Sequence, residues 1–491
     1  GEFKADRNDI PRVWMDHGAW PLLTTSLYLH QTGDLPFLLQ DQVYFKDHLV
    51  ARSKVIDPLW KPNQGTLLKT ETGEPHRGSI LEHLLIQHLT QFFNVGDHNN
   101  ILLEDADWND GMDMAPDRGE SVAFSAFYAG NLRQLSEWAL ELIESGVDEI
   151  NLAAELSPLL DTLESKVDYD SVDGKRHVLQ SYYESCQHTL SGRKITIPLK
   201  DLTKDLETKA DWLTNHIRQN EWIKDKAGFG WFNSYYDNDG QPVEGDHPNG
   251  VRMILTGQVF ALIGGVANAD QAREIARSVD QYLYDPAAGG YRLNTDFGEV
   301  MLNLGRAFGY AYGHKENGAM FSHMAVMYAY SLYQRNLVDQ GYKALNKIYQ
   351  HCQNFPVSRI YPGIPEYVDP DGRGMYTWLT GSASWYLLTV VTEVFGVRGY
   401  LGDLVLAPKL TRFEFDQEGN ASLITRFADK LVEVIYQNPN QLGHNQYQVI
   451  SVSIDGKNVD HEAHRDPVRI KREIIAGSPG NKIKIEVLLG S

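Results

Sequence analysis

The 491-residue sequence has little cysteine and no long apolar run. Cys186 and Cys352 are its only cysteines, which are too few and too far apart in the sequence for a disulfide scaffold. No apolar stretch approaches the ~20 residues that a membrane-spanning helix needs, and no basic segment followed by an apolar one marks a secretory signal. The sequence therefore predicts a cytoplasmic protein without a membrane partner.

Clusters of basic residues are also missing. Lys and Arg together number 45 against 65 Asp and Glu, which gives a net charge of -20. Because binding to nucleic acid phosphates needs clustered Lys and Arg, no nucleic-acid partner is expected. Aromatic residues are plentiful instead, with 10 Trp and 25 Tyr. Their ordinary role is packing, and we expect a few of them to serve as platforms for sugar rings.

The first 396 residues carry apolar positions that recur with a helical period. Gly33 follows the first apolar stripe as a helix stop, and Ser79 with Glu82 has the sequence of a capping box. Residues 160–220 are more polar and are predicted to form a peripheral insertion. Mostly apolar helices joined by long Gly- and Pro-rich loops indicate a toroid of helical hairpins with catalytic residues on loops at one end. The predicted helices cover residues 19–31, 80–93, 124–138, 256–266, 320–333, 337–355 and 382–395.

After Gly396 the apolar residues alternate with the period of a β-strand. Turn signals occur at residues 418–420 and 428–430, and Asp455-Gly456 is a hairpin signal. A final alternating run closes the sequence. Because a chain of this length can hold more than one domain, the sequence predicts a helical catalytic domain at 1–398 and a small antiparallel β domain at 399–491.

The most informative segment is an Asp-rich motif at residues 105–113, "DADWNDGMD". It combines four carboxylates with an aromatic ring, an amide and a glycine. A sugar site needs an apolar platform for the ring face, polar groups for the hydroxyls and an acid for the leaving oxygen. Two other interpretations stay open, an acidic turn that caps helices and a calcium loop. Trp108 does not fit the Asp-x-Asp-x-Asp-Gly register of an EF-hand loop.

Three strings of the sequence resemble one enzyme family. They are the Asp-rich motif, "HKENGAMFSH" at residues 314–323 and "PEYVDPDGRGMYTWLTGSASW" at residues 365–385. In order and spacing they are similar to the inverting glycoside phosphorylases of glycoside hydrolase family 94. The resemblance implies an (α/α)6 barrel followed by a small β domain. It also implies an enzyme that uses inorganic phosphate, with no cofactor, to convert a β-linked gluco-oligosaccharide into α-glucose 1-phosphate and a shorter sugar.

The resemblance places the general acid of this reaction at Asp110, with Asp105, Asp107 and Asp113 as the next candidates. An inverting hydrolase needs a second carboxylate to activate water. Phosphate is already an anionic nucleophile, so a phosphorylase has to supply only the acid. A general acid must be protonated when it acts, and we therefore expect Asp110 to be partly desolvated or close to another anion.

The same resemblance assigns the other site residues. Four of them also have a purely structural alternative. His323 could be a core histidine, Thr380 a helix N-cap, and Glu316 and Glu366 acids on surface loops. The start of the predicted helix at 382–395 could present a backbone N–H to an anion. The matched positions are His323, Thr380 and Gly381 for phosphate, Trp108, Glu316 and Glu366 for the donor sugar, and Lys315 and Tyr310 on the acceptor side.

Two departures from the family pattern bear on the substrate. Glu366 stands where cellobiose-type members have Gln, and "MDHGAW" at residues 15–20 differs from the family's acidic pair followed by an aliphatic residue and Trp. The first departure bears on the role of Glu366 itself, and the second favours β-1,2- or β-1,3-gluco-oligosaccharides over cellobiose. The N-terminal residues resemble a helix already inside the barrel. We therefore expect the domain at 1–398 to be incomplete at its N-terminus, without the first helices of the barrel. An upstream segment or chain of the same protein is expected as a partner, with homodimerisation as a further possibility.

Two other functions stay open at this point. One is an inverting hydrolase on the same barrel, with Glu316 or Glu366 as the base. The other is a carbohydrate-binding fragment without activity. A requirement for phosphate separates the phosphorylase from the hydrolase, and sugar binding without turnover identifies the fragment.

Overall fold

The computed structural model describes residues 3–4, 11–163, 167–360, 363–377, 381–459 and 467–491. By packing, the chain forms two compact units. The first unit contains residues 1–23, 35–283 and 293–319, and the second contains residues 24–34, 284–292 and 320–491. The predicted boundary at residue 398 follows sequence character rather than packing, and it stays a prediction.

The helices, in chain order, are α1 (Ala19–Thr32), α2 (Ile80–Phe93), α3 (Val122–Glu144), α4 (Val172–Ser185), α5 (Leu199–Asn220), α6 (Leu255–Ile263), α7 (Ala269–Tyr282), α8 (Ser322–Gln334), α9 (Val338–Gln353), α10 (Phe355–Ser358), α11 (Ser382–Thr389) and α12 (Arg472–Gly477). They confirm the predicted mainly α class and the helices predicted from the periodicity. A short π-helix at Val390–Val394 follows α11. The (α/α)6 arrangement stays a prediction.

Local signals explain where several helices begin and end. Gly33, with φ of +74°, directly follows α1 as the predicted stop. Ser79 begins α2 because its hydroxyl accepts the N–H of Glu82 at 3.1 Å. The carboxylate of Glu82 instead accepts from the Tyr44 hydroxyl at 2.8 Å and from the Ala153 N–H at 2.7 Å. Only one half of the predicted capping box therefore forms.

Short antiparallel strand pairs connect the helices of the first unit. The pairs with described side chains are Asp41–Val43 with Arg77–Ser79, Leu49–Val50 with Val55–Ile56, Glu120–Ser121 with Tyr235–Tyr236, Glu149–Ala153 with Lys194–Pro198, Trp222–Lys224 with Gly230–Phe232, and Gly245–His247 with Gly250–Arg252. Phe3–Lys4 pairs with Pro11–Arg12.

The polar stretch at 160–220 contains a core helix, so the prediction of a peripheral insertion is wrong for its second half. α5 packs along α3, and its apolar face is buried. The average composition of this segment is polar because α5 is strongly amphipathic, and its polar face outweighs its apolar face in the average. Composition alone therefore did not indicate a buried helix. The buried apolar residues are Leu199, Leu202, Leu206, Ala210, Leu213 and Ile217.

A buried ion cluster ties α5 to the segment before α4. The Lys209 ammonium lies 2.8 Å from an Asp161 oxygen and 2.6 Å from an Asp205 oxygen, and the Lys209 side chain is fully buried. The ring of Phe92 lies 5.8 Å from the same ammonium. Because both carboxylates are also buried, the cluster has one cation for two shielded anions.

In the second unit, short strands precede the helices. Met320–Phe321 pairs with Tyr367–Val368, which pairs with Gly374–Met375, and Tyr284–Asp285 pairs with Gly290–Tyr291. The strand at 320–321 replaces the first two residues of the predicted helix at 320–333. α8 packs on α9 and on α11.

The C-terminal residues form the predicted β structure. One sheet has the strand order Asn420–Phe427, Lys430–Gln437, Lys482–Gly490, Gln448–Ile454, Lys457–Asn458, and a second contains Val397–Tyr400, Asp403–Leu406 and Val468–Ile470. The predicted turns at 428–430 and at Asp455-Gly456 are confirmed. Their central residues have positive φ, +47° at Ala428, +61° at Asp429, +48° at Asp455 and +77° at Gly456.

The sheet is not purely antiparallel, and that part of the prediction is wrong. Lys430–Gln437 and Lys482–Gly490 run parallel, with Leu431 opposite Lys482. Alternation along a strand gives its buried face but not the direction of its neighbour. Val432 and Val434 of one strand and Ile483 and Ile485 of the other are all buried.

None of the helices in the described ranges combines the length and the apolar character that crossing a bilayer requires.

We predict that Lys209→Met lowers the free energy of unfolding by about 3–5 kcal/mol, because the buried carboxylates of Asp161 and Asp205 would lose the ammonium that pairs with both of them. Urea denaturation followed by circular dichroism measures this. Arg133→Met is the control, since Arg133 and its partner Asp211 are largely exposed and their pair should contribute at most about 1 kcal/mol. Equal losses in the two variants would contradict the assignment of a buried cluster.

Candidate active site

The Asp-rich motif is anchored where it begins. Glu104 is buried and accepts from the guanidinium of Arg52, with Nε at 2.9 Å from one carboxylate oxygen. The ammonium of Lys54 lies 3.2 Å from the other oxygen. The next residue, Asp105, accepts the backbone N–H of Val13 at 2.6 Å. Its carboxylate is therefore committed to holding the chain in place.

Asp107 fixes the turn that presents Trp108 and Asp110. Its side chain is buried and accepts the N–H of Asn109 at 2.9 Å, the Ser121 hydroxyl at 2.8 Å and the Tyr235 hydroxyl at 3.3 Å. The Asn109 side-chain oxygen then accepts the N–H of Gly111 at 3.1 Å. These bonds are the short-range pattern of an acidic turn, with two successive Asx hydrogen bonds.

Asp110 lies on the outside of this turn. Its side chain is 48% exposed, and its carboxylate is 3.4 Å from the guanidinium of Arg306. The Asp110 carboxyl is thus only partly desolvated, and the charge beside it is a cation that also pairs with Asp113. The exposure leaves the carboxyl accessible to a substrate. Trp108, two residues earlier, is half-buried.

Arg306 is the site residue that the sequence analysis missed. Its guanidinium also pairs with Asp113, and its backbone N–H donates to Asp113 Oδ1 at 3.1 Å. The contact needs a close backbone approach, since the N–H of Ala307 donates to the carbonyl of Gly111 at 3.0 Å. A Cβ atom on Gly305 would overlap that carbonyl oxygen. The pattern in the sequence that could have pointed to Arg306 is "GRAFG" at residues 305–309, in which an Arg directly follows a glycine.

The turn at 314–317 joins the same network. The side-chain amide of Asn317 donates to the carbonyl of Tyr310 at 2.8 Å, and the N–H of Tyr310 donates to the carbonyl of Ala307 at 3.1 Å. Lys315 has a φ of +52°, which marks the tight turn. The first unit thus links the Asp-rich motif to three predicted site residues: Tyr310, which is exposed, and Lys315 and Glu316, which are half-buried.

Three of the other predicted residues lie close together in the second unit. The N–H of Ser322 donates to the carbonyl of Glu366 at 2.9 Å, which places Glu366 beside the start of α8 and His323. Gly381 is the residue before α11, and a Cβ atom there would lie 2.9 Å from Cε1 of His323. The imidazole therefore packs against the backbone at the start of that helix. Thr380 lies outside the described residues.

His323 is uncharged near neutral pH. Burial lowers the pKa of its imidazole to about 4. A neutral imidazole still carries one N–H donor, so the chemistry available to an anion is a hydrogen bond rather than a full positive charge. The predicted entry into a helix at Gly381 is confirmed, with α11 starting at Ser382.

Buried carboxyl groups lie below the Asp-rich motif. Burial raises the pKa of Asp107 to about 7, and the negative charge of Asp16 adds to the effect. Burial also raises the pKa of Asp16 to about 6 and that of Glu244 to about 8. Glu244 accepts the N–H of Ile254 at 2.6 Å. No sequence pattern pointed to Asp16 or Glu244 as shielded acids, because their burial depends on distant segments.

We predict that Asp107→Asn changes how stability depends on pH. The pKa of Asp107 is raised, so between its ordinary value near 4 and about 7 the folded chain keeps a proton that the unfolded chain loses. The free energy of unfolding then falls as pH rises, by up to about 1.4 kcal/mol per pH unit. Asn cannot titrate, so this contribution to the slope disappears in the variant. The free energy of unfolding of the variant, relative to that of the unsubstituted chain, should therefore increase from pH 5 to 7 and stay constant above pH 7. Urea midpoints at several pH values measure it, and a gain that does not vary with pH would contradict it.

Comparison with known proteins supports the family resemblance. Residues 199–396 match the model of the glycosyl hydrolase 94 superfamily catalytic domain. Solabiose phosphorylase of Paenibacillus borealis is 22% identical over 465 residues, which cover 91% of this chain and 47% of the relative. An alignment over that share of the chain necessarily includes the Asp-rich motif.

Two further relatives match less of one chain or the other. N,N'-diacetylchitobiose phosphorylase of Vibrio proteolyticus is 24% identical over 183 residues, 35% of this chain and 23% of the relative. A cyclic beta-(1,2)-glucan synthase of Rhizobium meliloti (strain 1021) is 22% identical over 412 residues, 81% of this chain and 12% of the relative. The chain spans less than half the length of each of these curated relatives. Residues 199–396 are thus similar to the catalytic domain of the glycosyl hydrolase 94 superfamily, and the chain is similar to glycoside phosphorylases.

Proposed function

We propose that this chain catalyses the inverting phosphorolysis of β-linked gluco-oligosaccharides, on an (α/α)6 barrel, to α-glucose 1-phosphate and a shortened sugar. The observation that carries the proposal is Asp110. The resemblance of its motif implies that it is the general acid, and its side chain lies half-exposed on a turn that Asp107 and Asn109 hold through hydrogen bonds. A fixed backbone with an accessible carboxyl is what proton transfer to a bound substrate requires.

In the proposed reaction, Asp110 donates its proton to the glycosidic oxygen as the bond to the anomeric carbon breaks. A phosphate oxygen attacks that carbon from the opposite face, so the β-linked glucosyl group becomes α-glucose 1-phosphate and the shortened sugar leaves with the proton. A sugar bound over Asp110 would cover its exposed half, and loss of water favours the protonated form of a carboxyl. Asp110 is then recharged with a proton from solvent.

Phosphate is proposed to bind at His323, Thr380 and Gly381. Two features of the second unit support this. The imidazole of His323 packs against the Gly381 backbone, and Gly381 immediately precedes α11. A neutral imidazole N–H and backbone N–H groups at a helix start are both suitable donors to an anion.

The donor glucosyl unit is proposed to contact Trp108, Glu316 and Glu366, and the acceptor side Lys315 and Tyr310. The departure from the family pattern at residues 15–20 favours a β-1,2- or β-1,3-linked substrate. The similarity to a protein named as a cyclic beta-(1,2)-glucan synthase supports the same choice. An indole face suits the apolar side of a sugar ring, and carboxylates accept from its hydroxyls.

We predict that the chain forms α-glucose 1-phosphate from β-1,2- or β-1,3-linked gluco-oligosaccharides only when phosphate is present, and that Asp110→Asn reduces this activity at least ~10²–10⁴-fold. Asn preserves the shape of the side chain and removes the transferable proton. Product analysis by anion-exchange chromatography, with and without phosphate, measures both effects.

Asp105→Asn is the matched control for this test. It lies on the same motif and keeps an acceptor for Val13, so its activity should stay within a few-fold of the unsubstituted chain. An active Asp110→Asn beside an inactive Asp107→Asn or Asp113→Asn would overturn the choice of acid. Free glucose produced without phosphate would identify a hydrolase, and oligosaccharide binding without any product would identify a non-catalytic fragment.

We also predict that His323→Ala raises the KM for phosphate roughly 10- to 100-fold and changes the KM for the sugar little. The variant loses one hydrogen bond to a charged group, which contributes about 1.5–3 kcal/mol. Initial rates at saturating sugar and varied phosphate measure the effect. His323→Gln keeps an N–H donor and should recover part of the loss. An unchanged phosphate dependence in His323→Ala would remove this residue from the phosphate site.

A further inference from the structure

Asp110, Arg306 and Asp113 form a three-charge group on the Asp-rich motif. The Arg306 guanidinium pairs closely with Asp113 through one nitrogen, and its other terminal nitrogen is 3.4 Å from Asp110. The second distance exceeds the 2.7–3.2 Å of an ordinary N–H to oxygen hydrogen bond. Asp113 is therefore the main partner of Arg306, and Asp110 is the minor one.

Burial, like the distances, makes the ion pair with Asp113 stronger than the ion pair with Asp110. The Asp113 side chain is 17% exposed, against 48% for Asp110 and 40% for Arg306. Attraction between charges weakens as water reaches them. The pair with Asp113 is thus the stronger of the two. The negative charge of Asp113 partly cancels the positive charge of Arg306, which reduces the electrostatic effect of Arg306 on Asp110.

The backbone, and not only the side chains, sets this arrangement. The N–H of Arg306 donates to Asp113 at 3.1 Å, and the next N–H, of Ala307, donates to the carbonyl of Gly111 at 3.0 Å. Gly305 allows the two loops to approach because it has no Cβ. The guanidinium is consequently held beside Asp110 by main-chain contacts.

A cation next to a general acid works against it. The acid must hold its proton until the leaving oxygen takes it, whereas a neighbouring guanidinium stabilises the ionised carboxylate. A nearby anion that pairs with the guanidinium reduces this effect. Asp113 is such an anion, and Tyr310 also lies close enough to Arg306 to interact with it.

Building on the proposed phosphorolysis, we propose that Arg306 and Asp113 are positioning residues that set the pH range in which Asp110 can act as the acid. Arg306 orients the carboxyl of Asp110 and favours its ionised form. Asp113 holds the guanidinium and limits that influence. The charge balance among the three residues then fixes the upper pH limit of catalysis, beyond which Asp110 no longer holds a proton.

The test is the dependence of kcat on pH in five variants. Arg306→Gln should move the pH above which kcat falls upward by about one unit, and Asp113→Asn should move it downward by about one unit, since an opposite charge nearby changes such a limit by roughly one to three units. Asp113→Asn keeps an acceptor for the Arg306 N–H, so the loop should keep its shape. Arg306→Lys retains the positive charge, so the pH above which its kcat falls should stay close to that of the unsubstituted chain.

Arg252→Gln is the matched control, because Arg252 is also paired with a carboxylate, that of Glu299, and lies outside the Asp-rich motif. Its pH profile should not move. The double variant Arg306→Gln/Asp113→Asn should show a smaller upward move than Arg306→Gln, because it also removes the Asp113 anion that Arg306→Gln leaves unpaired near Asp110. Shifts of both single variants in one direction, or no shift in either, would overturn the proposal.

A second readout separates this proposal from the proposed function. The carboxyl carbon of Asp110 can be followed against pH by 13C NMR, with Asp110→Asn to assign its signal. Its titration midpoint should rise in Arg306→Gln and fall in Asp113→Asn. If the chain makes no α-glucose 1-phosphate but these shifts occur, the phosphorolysis fails and the charge relation stands. If phosphorolysis occurs without the shifts, the charge relation fails.

Discussion

The position of the candidate acid, Asp110, depends on the hydrogen bonds of the buried Asp107 carboxyl. That carboxyl receives hydrogen bonds from the turn itself, from Ser121 and from Tyr235. Ser121 also begins α3, where its hydroxyl accepts the N–H of Phe124 at 3.1 Å. A single side chain therefore joins the exposed turn to the start of a long core helix, and the orientation of Asp110 follows from packing in the interior.

The site in the first unit is built from loops rather than from helix faces. The Asp-rich motif, the segment around Arg306 and the turn at 314–317 are connected through backbone carbonyls and N–H groups. Such connections tolerate changes in the exposed side chains, because the main chain sets their positions. The relatives that this chain resembles are named for different sugars, which is compatible with a fixed main chain that carries variable side chains.

How much the sequence could predict depended on the range of the contacts involved. The helices with a clear apolar period, the stop at Gly33 and the hairpin at Asp455-Gly456 follow from neighbouring residues, and these were predicted, whereas α4, α5 and α7 were not. The parallel strand pair, the burial of α5 and the cation beside Asp110 depend on contacts between distant residues. Arg306 and Asp113 are separated by 193 positions, and no local pattern connects them.

The candidate residues divide in the same way. Asp110 was identified through the resemblance of its motif, whereas its surroundings could not be, since exposure and neighbouring charge come from the folded chain. The alternative of an acidic turn describes Asp105 and Asp107 well. Their carboxylates hold the backbone, and the carboxylate of Asp110 is left facing outward.

The parallel strand at Lys482–Gly490 has a consequence for how the chain is made. This strand lies in the middle of its sheet, between the hairpin at 420–437 and the strand Gln448–Ile454. Each of those parts can form as soon as it leaves the ribosome, but they have no hydrogen-bonding partner for their inner edges until the strand at 482–490 is synthesised. The sheet is therefore completed late, and until then both inner edges are open to pairing with other chains.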